Sequence, residues 1–112
     1  MGLLSYLYGI LGENKACNFL KSKNFKILQR NFHSKFGEID IIAKKDDILH
    51  FIEVKFTNGD YQSIYRLDAK KYEKILKTIR FYLLKNDITC DYQVDLICIN
   101  KDDIDFVENI SL

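Results

Sequence analysis

Residues Gly37 to Thr57 read GEIDIIAKKDDILHFIEVKFT. Asp46-Asp47 is the only local turn signal between two runs rich in β-branched and aromatic residues, so the stretch is predicted to form a β-hairpin. Ile39, Ile41 and Ala43 alternate along one face of the first strand, and Ile52, Val54 and Phe56 along one face of the second. A two-residue turn sets Lys45 opposite Ile48. It follows that Ile41 faces Ile52, Ile39 faces Val54, Asp40 faces Glu53 and Glu38 faces Lys55. A slip of one residue would divide the apolar set between the two faces, so this register is strongly specified.

The apolar face is expected to pack on a core. The other face gathers Glu38, Asp40, Glu53 and Lys55 beside Ile42 and Phe51. Two carboxylates placed directly across a sheet repel one another. A divalent cation between them reverses the sign, because Mg²⁺ takes one or two carboxylates and fills its octahedron with water and phosphate oxygens. The lysine two residues beyond Glu53 is placed to hold a phosphate or to lower the pKa of an attacking water. This is the outline of a metal-assisted phosphodiester site. The competing reading pairs Lys55 with Glu53 and Glu38 on a solvated face, since alternating charge is common on exposed strands.

The rest of the chain narrows the choice of function. A length of 112 residues supports one domain, 1–112, with a single modest core. With 47% hydrophobic and 29% charged residues the composition is globular rather than disordered. A formal net charge of +1 argues against a strongly basic nucleic-acid binder, so any phosphate-binding surface must be local. Cys17, Cys90 and Cys98 are odd in number and lack CxxC spacing, which supports neither a disulfide framework nor a zinc site and points to a reducing compartment. The run LLSYLYGIL is too short to span a membrane and lacks the basic flank and small-residue cleavage site of a signal peptide. A cytoplasmic protein without a membrane partner is expected.

Upstream of the hairpin, Leu3 to about Lys23 carries Leu4, Leu7, Leu11, Ala16 and Leu20 at helical spacing. Gly9 and Gly12, near one turn apart, imply close packing or a late helix start. Glu13 has Ile10, Ala16 and Cys17 as its i−3, i+3 and i+4 neighbours, so it borders the inward stripe and needs a partner there. A half-exposed Glu at the margin of the stripe is the alternative. Phe25 to Phe32 reads as a strand, with His33-Ser34-Lys35 as the connection to the hairpin.

Downstream, Asn58-Gly59-Asp60 is a turn signal. Tyr61 to Leu67 is an aperiodic loop in which Tyr61, Tyr65 and Arg66 form a mix suited to a polynucleotide backbone. Asp68 is an expected N-cap for a helix whose apolar stripe is Tyr72, Ile75, Leu76, Ile79, Tyr82 and Leu83, ending at Asn86-Asp87. Lys70, Lys71, Lys74, Lys77 and Arg80 dress the remainder, and a solvated face is the expectation for the last three. Lys71 borders the buried stripe near the helix N-terminus, where a phosphate would also meet free backbone N–H groups. Tyr92 to Asn100 reads as a strand buried on both faces, and Asp105 to Ile110 as an edge strand. The order α-β-β-β-α-β-β defines a mixed α/β domain. His33 and His50 share no metal-ligand spacing.

The motif Gly9-x-x-Gly12-Glu13-x-x-Ala16, followed by GEIDIIA at 37–43 and FIEVK at 51–55, resembles the YraN-type family of small bacterial proteins. That family in turn is similar to the PD-(D/E)xK, restriction-endonuclease-like superfamily, with a site layout like that of Holliday-junction resolvases. The resemblance runs from about Gly9 to Asp95. It implies an α-β-β-β-α-β core with a central mixed sheet flanked by helices. It also implies Mg²⁺ or Mn²⁺ bound by Asp40, Glu53 and the Val54 carbonyl, with Glu13 ligating through water. Lys55 would orient the attacking water, while Lys70, Lys71 and Arg66 would contact nucleic acid, DNA in preference to RNA. Cutting two strands would call for a homodimer. Two departures stand out: Thr57 occupies the place of an Arg that usually follows the ExK lysine, and Gln93-Val94 precede Asp95 where an Arg is common. Both remove phosphate-binding charge. The expected function is therefore a metal-dependent nuclease of DNA, including branched DNA, with a non-catalytic nucleic-acid-binding or scaffold protein of the same fold as the alternative.

Overall fold

The hairpin forms around a turn in which Asp46 and Asp47 both take left-handed backbone angles, φ 52° and 63°. Asp tolerates that region better than most residues, and two such residues in succession give the turn whose twist matches paired strands. The computed structural model describes residues 2–57, 68–101 and 103–110. In chain order the elements are α1 (Leu3–Ser22), β1 (Lys26–Ser34), β2 (Gly37–Lys45), β3 (Ile48–Thr57), α2 (Ala69–Lys85), β4 (Tyr92–Asn100) and β5 (Asp103–Val107). The strands form one sheet in the order β1-β2-β3-β4-β5. Only the β3–β4 step is parallel, and α2 is the crossover that a parallel step requires.

A helix covers each face of the sheet. Ala16, Cys17 and Leu20 of α1 close over Ile41, Ala43, Ile52, Ile97 and Ile99. Ile75, Ile79 and Tyr82 of α2 close over Phe32, Ile39, Ile42, Phe51 and Val94. The hairpin face that carries Asp40 and Glu53 is thus a second core and not the solvated face of the competing reading, with Ile42 and Phe51 fully buried. Gly12 brings α1 close to β3: a Cβ there would sit 1.5 Å from the Phe56 ring. Close packing accounts for that glycine.

The predicted register holds from Lys45 opposite Ile48 to Ile41 opposite Ile52, and there the β2–β3 ladder stops. On the other side of β2 the ladder pairs Arg30 with Ile41 and Phe32 with Ile39 but passes over Asn31 and Asp40. Asn31 is left-handed, with φ 52°. Side chains on either side of this break change face. Ile39 therefore joins Ile42 under α2 instead of sharing a face with Ile41 and Ala43, while Val54 packs on the α1 side. The expected Ile39–Val54 pairing is corrected accordingly. So is that of Glu38 with Lys55: Glu38 pairs instead with His33 across β1–β2, at 3.1 Å. Periodicity assumes an unbroken pleat, and the break at Asp40 defeats it.

Smaller differences have local causes. The β1–β2 turn is at Lys35-Phe36 rather than His33-Ser34-Lys35, because Ser34 still pairs with Gly37. The last strand runs Asp103–Val107, not Asp105–Ile110, since Lys101 takes a left-handed angle (φ 55°) and turns the chain early. Asp103 and Asp105 put charge along this edge, which discourages further pairing. The turn at Asn58-Gly59-Asp60 and the segment Tyr61–Leu67, Arg66 included, lie outside the described residues.

β4 is buried from Val94 to Ile99, including an acid, Asp95, with no exposed surface. Its Oδ2 meets His50 Nδ1 at 2.5 Å. Its Oδ1 accepts from Gln93 Nε2 and from the backbone N–H of Asn109, both at 2.8 Å. Phe25 closes the His50 ring edge to face at 4.8 Å. Removing one partner of a buried polar group leaves the others desolvated and unpaired. Asp95→Ala is expected to lower unfolding free energy by about 3–5 kcal/mol. Glu38→Ala, on the exposed His33 pair, is expected to change it by less than about 0.5 kcal/mol. Urea unfolding of both variants beside the wild type checks the contrast.

Candidate metal and phosphate site

The break in β2 opens the site. With no partner on β2, the backbone N–H of Val54 donates instead to the Asp40 carboxyl, at 2.8 Å from Oδ2. That bond turns Asp40 toward β3 and into a hydrogen bond with Glu53. Glu53 is buried, and its Oε2 accepts from Lys71 Nζ at 3.0 Å. The convergence expected of Asp40 and Glu53 is present in the structure, achieved by a side chain capping a peptide group rather than by a regular cross-strand pair.

Electrostatic tension is concentrated here. Burial, followed by the hydrogen bond and charge of Glu53, pushes the Asp40 carboxyl up to about 8, against the opposing pull of the Val54 N–H and Lys71. Burial and the neighbouring Lys71 charge press the Lys55 ammonium below its ordinary value, partly offset by Glu53. Two acids and two lysines thus share one partly desolvated corner at the end of the β2–β3 ladder.

A cleft of about 440 Å³ opens over this corner, lined by Gly37, Glu38, Glu53, Asp68, Lys70, Lys71, Lys74 and Ile75. The N-terminus of α2 forms one wall. Asp68 caps it as predicted, accepting from Lys70 N at 2.9 Å. Lys74, expected on the solvated face, lines the cleft with Lys70 and Lys71. The signal for it was available: Lys74 lies four residues after Lys70 and three after Lys71, on the same side of the helix.

Glu13 has other partners. Its Oε1 accepts from Arg30 Nε at 2.8 Å and Asn31 Nδ2 at 2.9 Å, while Arg30 also reaches Asn14 Oδ1 at 2.7 Å. Glu13 therefore holds the left-handed residue of β1 that sits across from Asp40. The inward position read from the sequence is correct, and its partner is a strand residue. Among the described residues no three His, Cys, Asp or Glu side chains converge as a metal-ligand set. His50 and Asp95 were missed as a pair because the parallel β3–β4 register cannot be read from local spacing.

Asp40 and Glu53 nevertheless suit a divalent cation. Burial and the neighbouring Glu53 charge favour a proton on Asp40, a cation between the two carboxyl groups would offset the same charge, and Mg²⁺ needs only one or two carboxylates from the protein.

The fold and this site define a small α/β chain with a helix-flanked mixed sheet and an acid pair beside an ExK motif, and the chain belongs to the uncharacterised protein family UPF0102, whose profile matches residues 12–99. It is 71% identical over 111 residues to a UPF0102 protein of Campylobacter jejuni, with 99% of each chain covered. Its identity to a UPF0102 protein of Campylobacter lari is 63%, again with 99% of each covered. To one of Campylobacter hominis it is 60% over 112 residues, the full length of both. Among the described residues no helix is long and apolar enough to cross a membrane.

The Asp40 displacement fixes a pH dependence. Its folded value is raised above 3.8, so the folded state keeps a proton that the unfolded state releases. Stability is fully present below about pH 4 and is lost as pH rises through about 8. Asp40→Asn, which keeps an oxygen for Val54 N–H, is expected to flatten this loss in metal-free protein, measured as urea midpoints at acid and alkaline pH. Mg²⁺ or Mn²⁺ added near pH 8 is expected to raise the melting temperature of the wild type but not of Glu53→Gln.

Proposed function

We propose that the protein is a metal-dependent phosphodiester hydrolase acting on DNA. The observation that carries this reading is the Asp40–Glu53 pair, whose Glu53 lines a lysine-rich cleft together with Lys71 at 3.0 Å. Asp40 and Glu53 would hold Mg²⁺ or Mn²⁺, with the Val54 carbonyl as a further donor. When bound, such an ion lowers the pKa of water and neutralises charge developing on phosphate.

The chain's own residues supply the rest. Lys70 and Lys74 draw a phosphate into the cleft, and the free N–H groups of the first turn of α2 favour the same charge. Lys71 holds Glu53 in place. Lys55, whose ammonium gives up its proton more readily than an exposed lysine, would orient the attacking water and take part in its deprotonation. A paired cut through both strands would need two copies of the chain.

The reading without turnover draws on Glu13, whose carboxylate is already engaged by Arg30 and Asn31, and on Thr57 standing where relatives of the superfamily carry Arg. A nucleic-acid-binding protein would then use the lysine wall alone.

Cleavage of linear, flapped and four-way DNA with Mg²⁺ or Mn²⁺ separates the two. Hydrolysis by the wild type that falls at least about a hundredfold in Glu53→Gln supports the enzyme. Equal cleavage by both proteins, or none by either, rejects it. On the binding side, Lys70→Ala and Lys74→Ala are each expected to reduce the slope of log affinity against log salt by about 1.

A further inference from the structure

Beside the cleft, two aromatic rings face solvent. Phe36 at the β1–β2 turn and Phe81 on α2 are each 37% exposed, with centroids 6.4 Å apart and rings edge to face. Phe32, almost fully buried, backs Phe81 at 6.2 Å and is anchored on Tyr82 at 5.1 Å. The core therefore backs Phe81 from below, and Phe36 leans on Phe81. Lys35 Nζ lies 5.2 Å from the Phe36 centroid.

The rings continue the cleft. Phe36 directly precedes Gly37, a cleft residue, and Gly37 is wedged against α2, so that an added Cβ would meet Thr78 Oγ1 at 3.3 Å. On α2, Lys70, Lys74, Lys77 and Phe81 follow one another at i, i+4, i+7 and i+11, a single stripe of the helix. From Lys74 to Phe81 the stripe runs about 10 Å, the length of about three stacked nucleotides at about 3.4 Å per nucleotide. Lys77 shares its charge with Glu73 at 3.6 Å, which leaves Lys70 and Lys74 as the stronger contacts at the cleft end.

A track of cations ending on two partly exposed rings, one with Lys35 over it, suits a polyanion that can present a flat ring. A base-paired duplex keeps its bases stacked inside, whereas an unpaired strand offers each base to an aromatic side chain. We propose that Phe36 and Phe81 form a stacking platform for a base of an unpaired nucleic-acid strand, whose phosphates follow the α2 lysine stripe into the cleft. This rests on the phosphodiester reading of the cleft and narrows its substrate to strands with an unpaired end, flap or gap.

The test uses the full chain in EDTA, with a single-stranded oligonucleotide carrying 2-aminopurine and the duplex made from it. The wild type is expected to bind the single strand more tightly and to quench the 2-aminopurine. Phe36→Ala and Phe81→Ala should each weaken single-strand binding about tenfold while leaving duplex binding unchanged. Phe81→Tyr, which keeps a ring, should retain wild-type binding and quenching, and melting curves identify a variant that fails to fold. Equal single-strand affinity in wild type and both alanine variants overturns the platform, as does a parallel loss on duplex or no binding to either probe. Cleavage assays in Mg²⁺ keep the two ideas apart. DNA hydrolysis by a wild type whose single-strand binding ignores both rings would sink the platform and keep the hydrolase. Ring-dependent binding without hydrolysis would do the reverse.

Discussion

One peptide group organises this molecule. Where β2 leaves the β3 ladder beyond Ile41, the N–H of Val54 loses its strand partner and takes the Asp40 carboxyl in its place. A buried backbone donor left unpaired is costly, so the substitution is close to obligatory once the strands part. The same bond fixes the direction of Asp40 and brings it to Glu53. Structure and chemistry are therefore set together: the side chain that repairs the ladder is also the one that makes an unstable acid pair.

That pair is tolerable because the surrounding fold supplies compensation from both faces. From α2, Lys71 reaches Glu53, and Ser34 and Gly37, which flank the β1–β2 turn, lie against Thr78, so the helix cannot slide along the sheet without disturbing the cleft. From α1, Glu13 grips Arg30 and Asn31 at the matching irregularity in β1. The break is thus held at both strands. A charged helix residue that positions a strand irregularity influences Asp40 without touching it.

Much of this was legible in the sequence, and the parts that were not share a cause. Alternation in 37–57, the Asp46-Asp47 turn, the Asp68 cap and the amphipathic stripe of α2 are local signals, and each gave the correct element. The facing of Ile39, the partner of Glu38 and the pairing of His50 with Asp95 depend on a strand break and on a parallel neighbour distant in sequence. Period-2 reasoning carries a side chain to the right face only while the pleat is continuous, and Asn31 and Asp40 interrupt it. Asp40 and Glu53 still come together, although through the Val54 bond and not through the regular ladder from which their pairing was read. Lys74 is exposed, as a lysine on the polar side of the helix is expected to be, and that it also borders the cleft depends on tertiary packing that local spacing does not carry.

The two sides of the acid pair are unequal in rigidity, and this bears on how an ion would be received. Glu53 belongs to β3, whose parallel pairing with β4 runs unbroken from Leu49 to Thr57 and is pinned below by His50 on Asp95. Asp40 belongs to the released stretch of β2, where neither neighbouring strand pairs with it. Adjustment of the distance between the carboxyl groups must therefore come from β2, with the Val54 bond as the limit on how far Asp40 can move. On the proposed reading, a site with one fixed and one adjustable acid would take a cation in place of the Asp40 proton without disturbing the central strands. The lysines, carried by α2 against that fixed side, keep their relation to Glu53 throughout.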